Sequence, residues 1–524
     1  MDGKPLSQYA DHLITAFEHE EPQLRDRKIS VNPVVSRVAS IYEKVRSAMD
    51  YRDEEVILRA AIERILKRRI LFGGDPHTMA APLVRELLWA RYFQDESLSE
   101  SIVEKVEHRI ALYLKLREKI LQKHKSLKVK TIDEWIYHLM SSDLQNTIGP
   151  KRKKEIMVNF MFNIMKKNVN ILDTTEQNKD IQVFIAVRKS YARDDLALLR
   201  YHLYTQIFGR LTAENLEQVS DDFLKAYKEI NAQLSFPRKE KIVNYVKDKT
   251  VVFFILEDLL NLEKTKIREL LKDEQELKRV IFTICEARYS GISSKVRRAI
   301  LRSVIFLLFT KAFFAIAIEG TYETMVYGKI IWTSTIINVG VPPLLMAIVG
   351  FFMKPPGQDN SKRVLGYIYS ILADPDPGFN RSLSVKIAPD KKDPILNSIF
   401  AIFWILTFFL LFGLIIYILN LFHFNILSMG IFVFFLAIVS FLSYRISQTA
   451  NMYSIEERKN LLVPITDFIF LPFVRVGRKL TDGIAQINVF LFLFDFIIEA
   501  PFKGLFGFFE QWFLFLQSKR EEME

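Results

Sequence analysis

Along the first 300 residues apolar side chains recur at three- and four-residue steps; along the last 224 they run together. Between Val34 and Ile70 the steps fall at Val38, Ile41, Val45, Met49, Val56, Ile57, Ala60 and Ile65, with Glu43, Lys44, Arg52, Glu63 and Arg64 on the other face. That is the period of an amphipathic helix with one buried stripe. Phe72-Gly73-Gly74-Asp75-Pro76 then ends one helix and starts the next. Glycine takes the left-handed C-terminal geometry, Asp75 caps and Pro76 suits the first helical position. Glycine pairs also occur in phosphate loops, but no Gly-Lys-Ser/Thr follows and no strand precedes. Further helices are predicted over 82–93, 98–123, 132–139, 154–167, 181–189, 194–209, 216–234, 239–261 and 264–288. Gln182–Val187 and Val251–Ile255 are rich enough in β-branched residues for strands, yet their helical surroundings make them buried helix. Residues 173–179 hold no apolar residue and read as an exposed loop. Gly149-Pro150 is read as a boundary between helical subdomains 1–150 and 151–298. No fixed-period repeat makes the chain a solenoid.

Near Arg302 the pattern changes. A hydrocarbon core of ~30 Å needs ~20 mostly apolar helical residues. Segments 299–318, 330–352, 399–422 and 426–444 meet that requirement, and backbone satisfaction in lipid makes them helices. Lys295, Arg297, Arg298 and Arg302 flank the start of the first span, where contact with lipid headgroups is expected. The loop after the second span holds Lys354, Lys362, Arg363, Arg381, Lys386, Lys391 and Lys392, whereas 320–329 holds only Lys329 and 423–425 no Lys or Arg. By the positive-inside rule, both termini are expected in the cytosol, with the chain multi-pass in a prokaryotic inner membrane. Residues 461–474, 484–498 and 502–516 are Phe-rich but short and interrupted. Over 445–524 they read as interfacial or re-entrant helices, with one kinked membrane hairpin as the competing reading. In the last of them Lys503, Gly507, Glu510, Leu514 and Gln517 share one face, Phe502, Phe506, Phe509, Phe513 and Leu516 the other, and Trp512 is placed at headgroup level. The fold class expected is therefore all-α: a helical cytosolic domain, then a four-helix integral membrane domain (299–444) with C-terminal interfacial helices.

Composition sharpens this division. Of 43 Phe, 31 follow residue 300; of 72 Lys and Arg, 53 precede it, against 44 of the acids. The basic excess thus sits on the first part, where anionic lipid or nucleic acid would be attracted. No nucleic-acid recognition motif accompanies it, so lipid is the preferred partner and specific nucleic acid is not expected. The N-terminal segment lacks a basic region followed by an apolar core, so no signal peptide is expected there. Cys285 is the single cysteine and sits among apolar residues; a packed position is expected, and disulfides within one chain are excluded.

Candidate chemistry is sparse. Lys311 lies near the middle of the first span, where an ammonium costs at least ~2.5 kcal/mol. It either lines an ion or substrate pathway, with Glu319, Asp495 or Glu499 as the partner carboxylate, or snorkels toward one membrane face. Gly340-Val341-Pro342-Pro343 interrupts the second span at mid-depth; it is either a broken span exposing backbone for binding or a packed prolyl kink. Asp495 and Glu499 share a helical face with Asn488. They are candidates for acid–base chemistry or a solvated polar face. Asp374 and Asp376 between prolines would hold a cation or form a rigid turn. The predicted spans contain no acidic residue. HExxH, GxSxG, Walker and GxGxxG motifs are absent and the eight His show no ligand spacing, so no metal or other cofactor is expected. The leading expectation is a non-enzymatic membrane scaffold with a cytosolic protein partner, since the recognition surface is cytosolic. The alternative is a transporter or channel, homo-oligomeric, using Lys311 and the second span; a weaker one is an interfacial lipid-modifying enzyme.

Overall fold

The structure is a computed structural model. It describes residues 6–521 except 19–25, 50–53, 72, 263–266, 375–378, 380–381, 387–393, 456–470 and 480–499. The described residues are almost wholly helical. The chain forms two compact units: a body of residues 4–265, 370–387 and 493–524, and a membrane unit of 1–3, 266–369 and 388–492.

Helices Glu54–Leu71, Pro76–Trp89, Ser101–Lys123, Val129–Ile148, Leu196–Phe208 and Leu216–Leu234 enclose the main core of the body. The turn between the first two is built as its residues demand. Gly73 adopts a φ of +76°, and Asp75 accepts a hydrogen bond from Thr78 N (3.1 Å). Trp135 packs edge-on to Phe223 at a centroid distance of 6.0 Å, with Leu116 and Leu139 fully buried in the same core. Gln182–Val187 and Val251–Ile255 lie in helices Glu176–Val187 and Lys239–Leu262, because burial on several sides, not strand pairing, accounts for their β-branched content. Residues 173–179 are only partly a loop. Thr175 accepts from Asn178 N and starts a helix at Glu176, a capping signal that outweighs the polar composition. A short parallel strand pair joins Val169–Ile171 to Leu383–Val385.

Several charges buried among the described residues of the body are paired. Asp143 is fully buried and accepts from Arg109, from the Tyr201 hydroxyl (2.9 Å) and from Arg210 Nε (3.0 Å). Removing one partner of a buried ion pair strands the other charge, at a cost of ~3–5 kcal/mol. Asp143→Ala should therefore lower the body's stability by about that amount in chemical denaturation, and an unchanged midpoint would refute the assignment.

Four helices are long and apolar enough to cross a bilayer: Glu274–Tyr327, Trp332–Phe352, Ser398–Leu421 and Ile426–Ala450. The first is much longer than the 20-residue segment read from hydropathy. It carries the basic run 295–302 on its own rod and passes through a π-helical stretch, Ala315–Gly320, before ending at Gly328 (φ +68°). Glu319 and Glu323 thus lie on the same continuous helix as the first candidate span, directly beyond the acid-free segment 299–318. The second span is not broken either: Trp332–Phe352 is one α-helix, with Pro342 and Pro343 buried inside it. Proline removes a helix hydrogen bond, yet neighbouring helices hold such turns closed in membranes. Asn425 caps the fourth span through Ser428 N (2.8 Å). At the opposite end of this unit Asn360 ties three segments together. It donates to Tyr289 Oη and Tyr453 O, both at 2.7 Å, and accepts from Ile455 N at 2.8 Å. Cys285 is buried, as expected.

Candidate functional site

The loop between the first and second spans brings the polar residues of three spans together. Lys311, Glu319 and Glu323 come from the first, Ser334 and Asn338 from the second, and Asn425 and Ser428 from the start of the fourth; all are buried. Lys311 donates through Nζ to Asn338 Oδ1, and Asn338 donates through Nδ2 to Glu319 Oε2 (2.5 Å). One amide therefore bridges an ammonium and a carboxylate. The ammonium also lies 4.6 Å from the ring centroid of Phe435, a cation–π contact inside the bundle.

The π-helical stretch makes this geometry possible. In an α-helix, residues eight apart lie about 80° out of line. A wider i→i+5 turn absorbs that offset, so Glu319 reaches the amide that Lys311 also reaches.

The two carboxylates are not equivalent. Glu323 is fully supplied: Oε2 accepts from Ile331 N (2.7 Å), Oε1 from Asn425 Nδ2 (2.9 Å) and Ser334 Oγ (3.4 Å). It staples the interspan loop to the fourth span, which is a structural task. Glu319 takes the Asn338 bond at Oε2; its Oε1 and the neighbouring Ser428 Oγ lie close without a hydrogen bond of good geometry. A buried polar atom left unpaired costs ~1–3 kcal/mol, so Glu319 is the incomplete member of the cluster.

Asn338 lies six residues into its helix, about 9 Å along the axis at 1.5 Å per residue. The cluster therefore runs from the 328–331 loop toward mid-span. Beyond Lys311 the buried neighbours Leu307 and Met346 are fully enclosed, and the polar group beside them is Ser443, whose Oγ donates to Met346 Sδ (3.4 Å). The polar cluster thus lies toward one end of the bundle, and mainly apolar packing fills the other.

Of the positions singled out in the sequence, Lys311 does not snorkel but sits in this cluster, with Glu319 as its carboxylate. Pro342 and Pro343 lie on the same helix as Asn338, four and five residues on, and expose no broken span. Asp495 and Glu499 lie outside the described residues, as does all of 484–498. Asp376 does too, while Asp374 follows the C-terminus of helix Gln358–Ala373. Lys295, Arg297, Arg298 and Arg302 are exposed on the first helix, and Trp512 is half-exposed on helix Ala500–Glu521. Within that helix burial does not follow the two expected faces, since one residue of each is buried. Phe506 and Glu510 are buried in the body, whereas Phe508, Phe509, Trp512 and Phe515 are exposed.

Glu323, Asn338, Asn425 and Ser428 were missed by the sequence reading. The available signal was the i, i+4 spacing of Glu319 and Glu323 at the end of an apolar run, and an Asn within Ile336-Ile337-Asn338-Val339. No protein-family model matches the chain, and no curated protein or solved structure is similar to it.

Proposed function

We propose that the membrane unit is the protomer of a transporter or channel for a proton or a small monovalent cation, with Lys311, Asn338 and Glu319 as the binding station. The observation that supports this is the charge balance: one ammonium and two carboxylates are sealed among apolar helices, and one carboxylate oxygen has no well-formed hydrogen bond. Ionised together, the three carry one negative charge too many for a low-dielectric site. A proton or a monovalent cation at Glu319 neutralises the cluster. Ionisable residues placed inside spans cost free energy and mark pathways.

In this reading both termini face the cytosol of a prokaryotic cell, so the polar cluster opens outward and the mainly apolar segment beyond Lys311 is the inner gate. Assembly of several copies supplies the complete passage. The third span is almost wholly apolar and, apart from Leu419 near its end, is largely exposed within one chain, which leaves its surface for lipid or a second copy. The body then acts on the cytosolic side as the regulatory or partner-binding part. The scaffold reading makes the opposite forecast for the same residues, because a pure scaffold does not need its spans to be polar.

The full-length protein in liposomes should dissipate a proton, Na⁺ or K⁺ gradient faster than empty vesicles, and Glu319→Gln should cut that rate at least about tenfold, as removal of a buried charge-assisted contact does. Wild-type flux at the level of empty vesicles for all three ions would discard transport and leave the scaffold reading.

A further inference from the structure

Within the body, the C-terminal helix Ala500–Glu521 roofs a cavity of about 530 Å³ whose floor comes from helices Glu54–Leu71 and Pro76–Trp89. Three guanidinium groups line it: Arg68, Arg69 and Arg85. Two carboxylates face them. Glu86 is shared by Arg68 Nη2 and Arg69 Nη2, each at 2.5 Å, and Glu510 is buried under the roof. The lining therefore carries one positive charge in excess. One buried donor also lacks an acceptor, Arg69 Nε, and the buried indole N–H of Trp89 has the Glu510 carboxylate beside it.

The roof itself keeps the space open. Gly504 and Gly507, one turn apart, both line the cavity, and a Cβ built on either meets nothing within 4 Å. The outer side of the same helix is aromatic and uncovered, with Phe508 60%, Trp512 49% and Phe515 53% exposed. It packs against helix Pro33–Met49, which adds an exposed stripe of Val34, Val38 and Ile41. An apolar stripe beside an unpaired cationic donor complements one kind of surface, a bilayer with anionic headgroups. A chain with four candidate spans keeps its body within reach of such a surface.

We propose that this cavity receives the phosphate of an anionic phospholipid while the aromatic face of the C-terminal helix and the stripe on Pro33–Met49 rest in the headgroup layer. The phosphate oxygens accept from Arg85 and Arg69 Nε, and the lipid's negative charge cancels the excess of the guanidinium groups.

The test is native mass spectrometry of the full-length protein, extracted from vesicles of phosphatidylglycerol mixed with phosphatidylcholine. Wild type should retain one more phosphatidylglycerol than Gly507→Leu, in which the added side chain fills the cavity and leaves every donor in place. Arg85→Gln changes an exposed residue outside the helix core and should weaken retention about tenfold. The proposal is overturned if wild type and both variants retain phosphatidylglycerol equally, or if phosphatidylcholine is retained as well as phosphatidylglycerol. Displacement of the lipid by millimolar inorganic phosphate also overturns it, in favour of a site for a small free anion. If Gly507→Leu fails to fold, Arg85→Gln alone decides.

Discussion

Asn338→Leu should be the most damaging single substitution in the membrane unit. The leucine is close to asparagine in size, so the loss is one of hydrogen bonds, not of packing. Asn338 accepts from Lys311 and donates to Glu319, and without it an ammonium and a carboxylate are left unpaired among apolar side chains. Breaking a buried pair in this way costs ~3–5 kcal/mol, and a charge at mid-span is itself costly by at least ~2.5 kcal/mol. Thermal unfolding in micelles should move down by many degrees, and flux in liposomes should vanish. The triple variant Lys311→Met, Glu319→Gln, Asn338→Leu removes both charges together with the bridge. Replacing a buried ionic cluster by apolar groups of similar volume is neutral or stabilising, so its melting point should return to or exceed that of wild type while flux stays absent. That separation of stability from transport is what a functional cluster implies. A triple variant that stays as unstable as Asn338→Leu would make the cluster a packing device. Full flux in the triple variant would remove it from the pathway.

The four spans were legible because a bilayer imposes a length and a composition that a local window can read. The cluster was only half legible. Lys311 stands out as a charge in an apolar run, but its partner Asn338 is neutral and lies 27 residues away on another helix, where no local pattern pairs them. Glu319 was assigned to the edge of a span because hydropathy averages end there. The helix continues because a π-helical stretch and an α-helical turn carry it to Tyr327, and neither has a signature in apolar periodicity. Pro342 and Pro343 misled in the other direction: proline disfavours a helix in isolation, and packing against the first and fourth spans overrides that preference here. For the C-terminal helix the helical segment was legible and the face it buries was not. Two of its faces are apolar, and only the packing of Phe506 into the body shows which one is covered.

Acid should unfold the body in a window set by two neutral histidines. His202 is enclosed, with its Nε2 2.5 Å from Arg188 Nη2, and Asp194 Oδ2 stands 3.6 Å away. His138 pairs through Nδ1 with Arg200 Nη1 at 2.8 Å, near Glu63 and Glu134. Each imidazole therefore accepts a hydrogen bond from a guanidinium and must be neutral to do so. Burial first, and then the adjacent arginines, push His138 down to about 4 and His202 to about 3 from an ordinary 6.5. In the unfolded chain both take up protons near 6.5; in the folded body they resist. Below 6.5 the unfolded state thus binds more protons, so stability is complete above that pH and declines as pH falls toward 4 and then 3. The full shifts correspond to losses on the order of 3 kcal/mol for His138 and 5 kcal/mol for His202. Glu63, held down to about 2 despite burial by Lys67 and Arg59, adds a further loss below 4.5. Asp194, raised by burial, works in the opposite sense. Between pH 7 and 5 the histidines dominate, and the melting temperature of the full-length protein in micelles should drop steadily across that interval. His202→Gln and His138→Gln keep an acceptor for the arginine but cannot be protonated, so each should flatten part of the slope, and the double variant most of it. An unaltered slope in the double variant would place the acid sensitivity elsewhere in the protein.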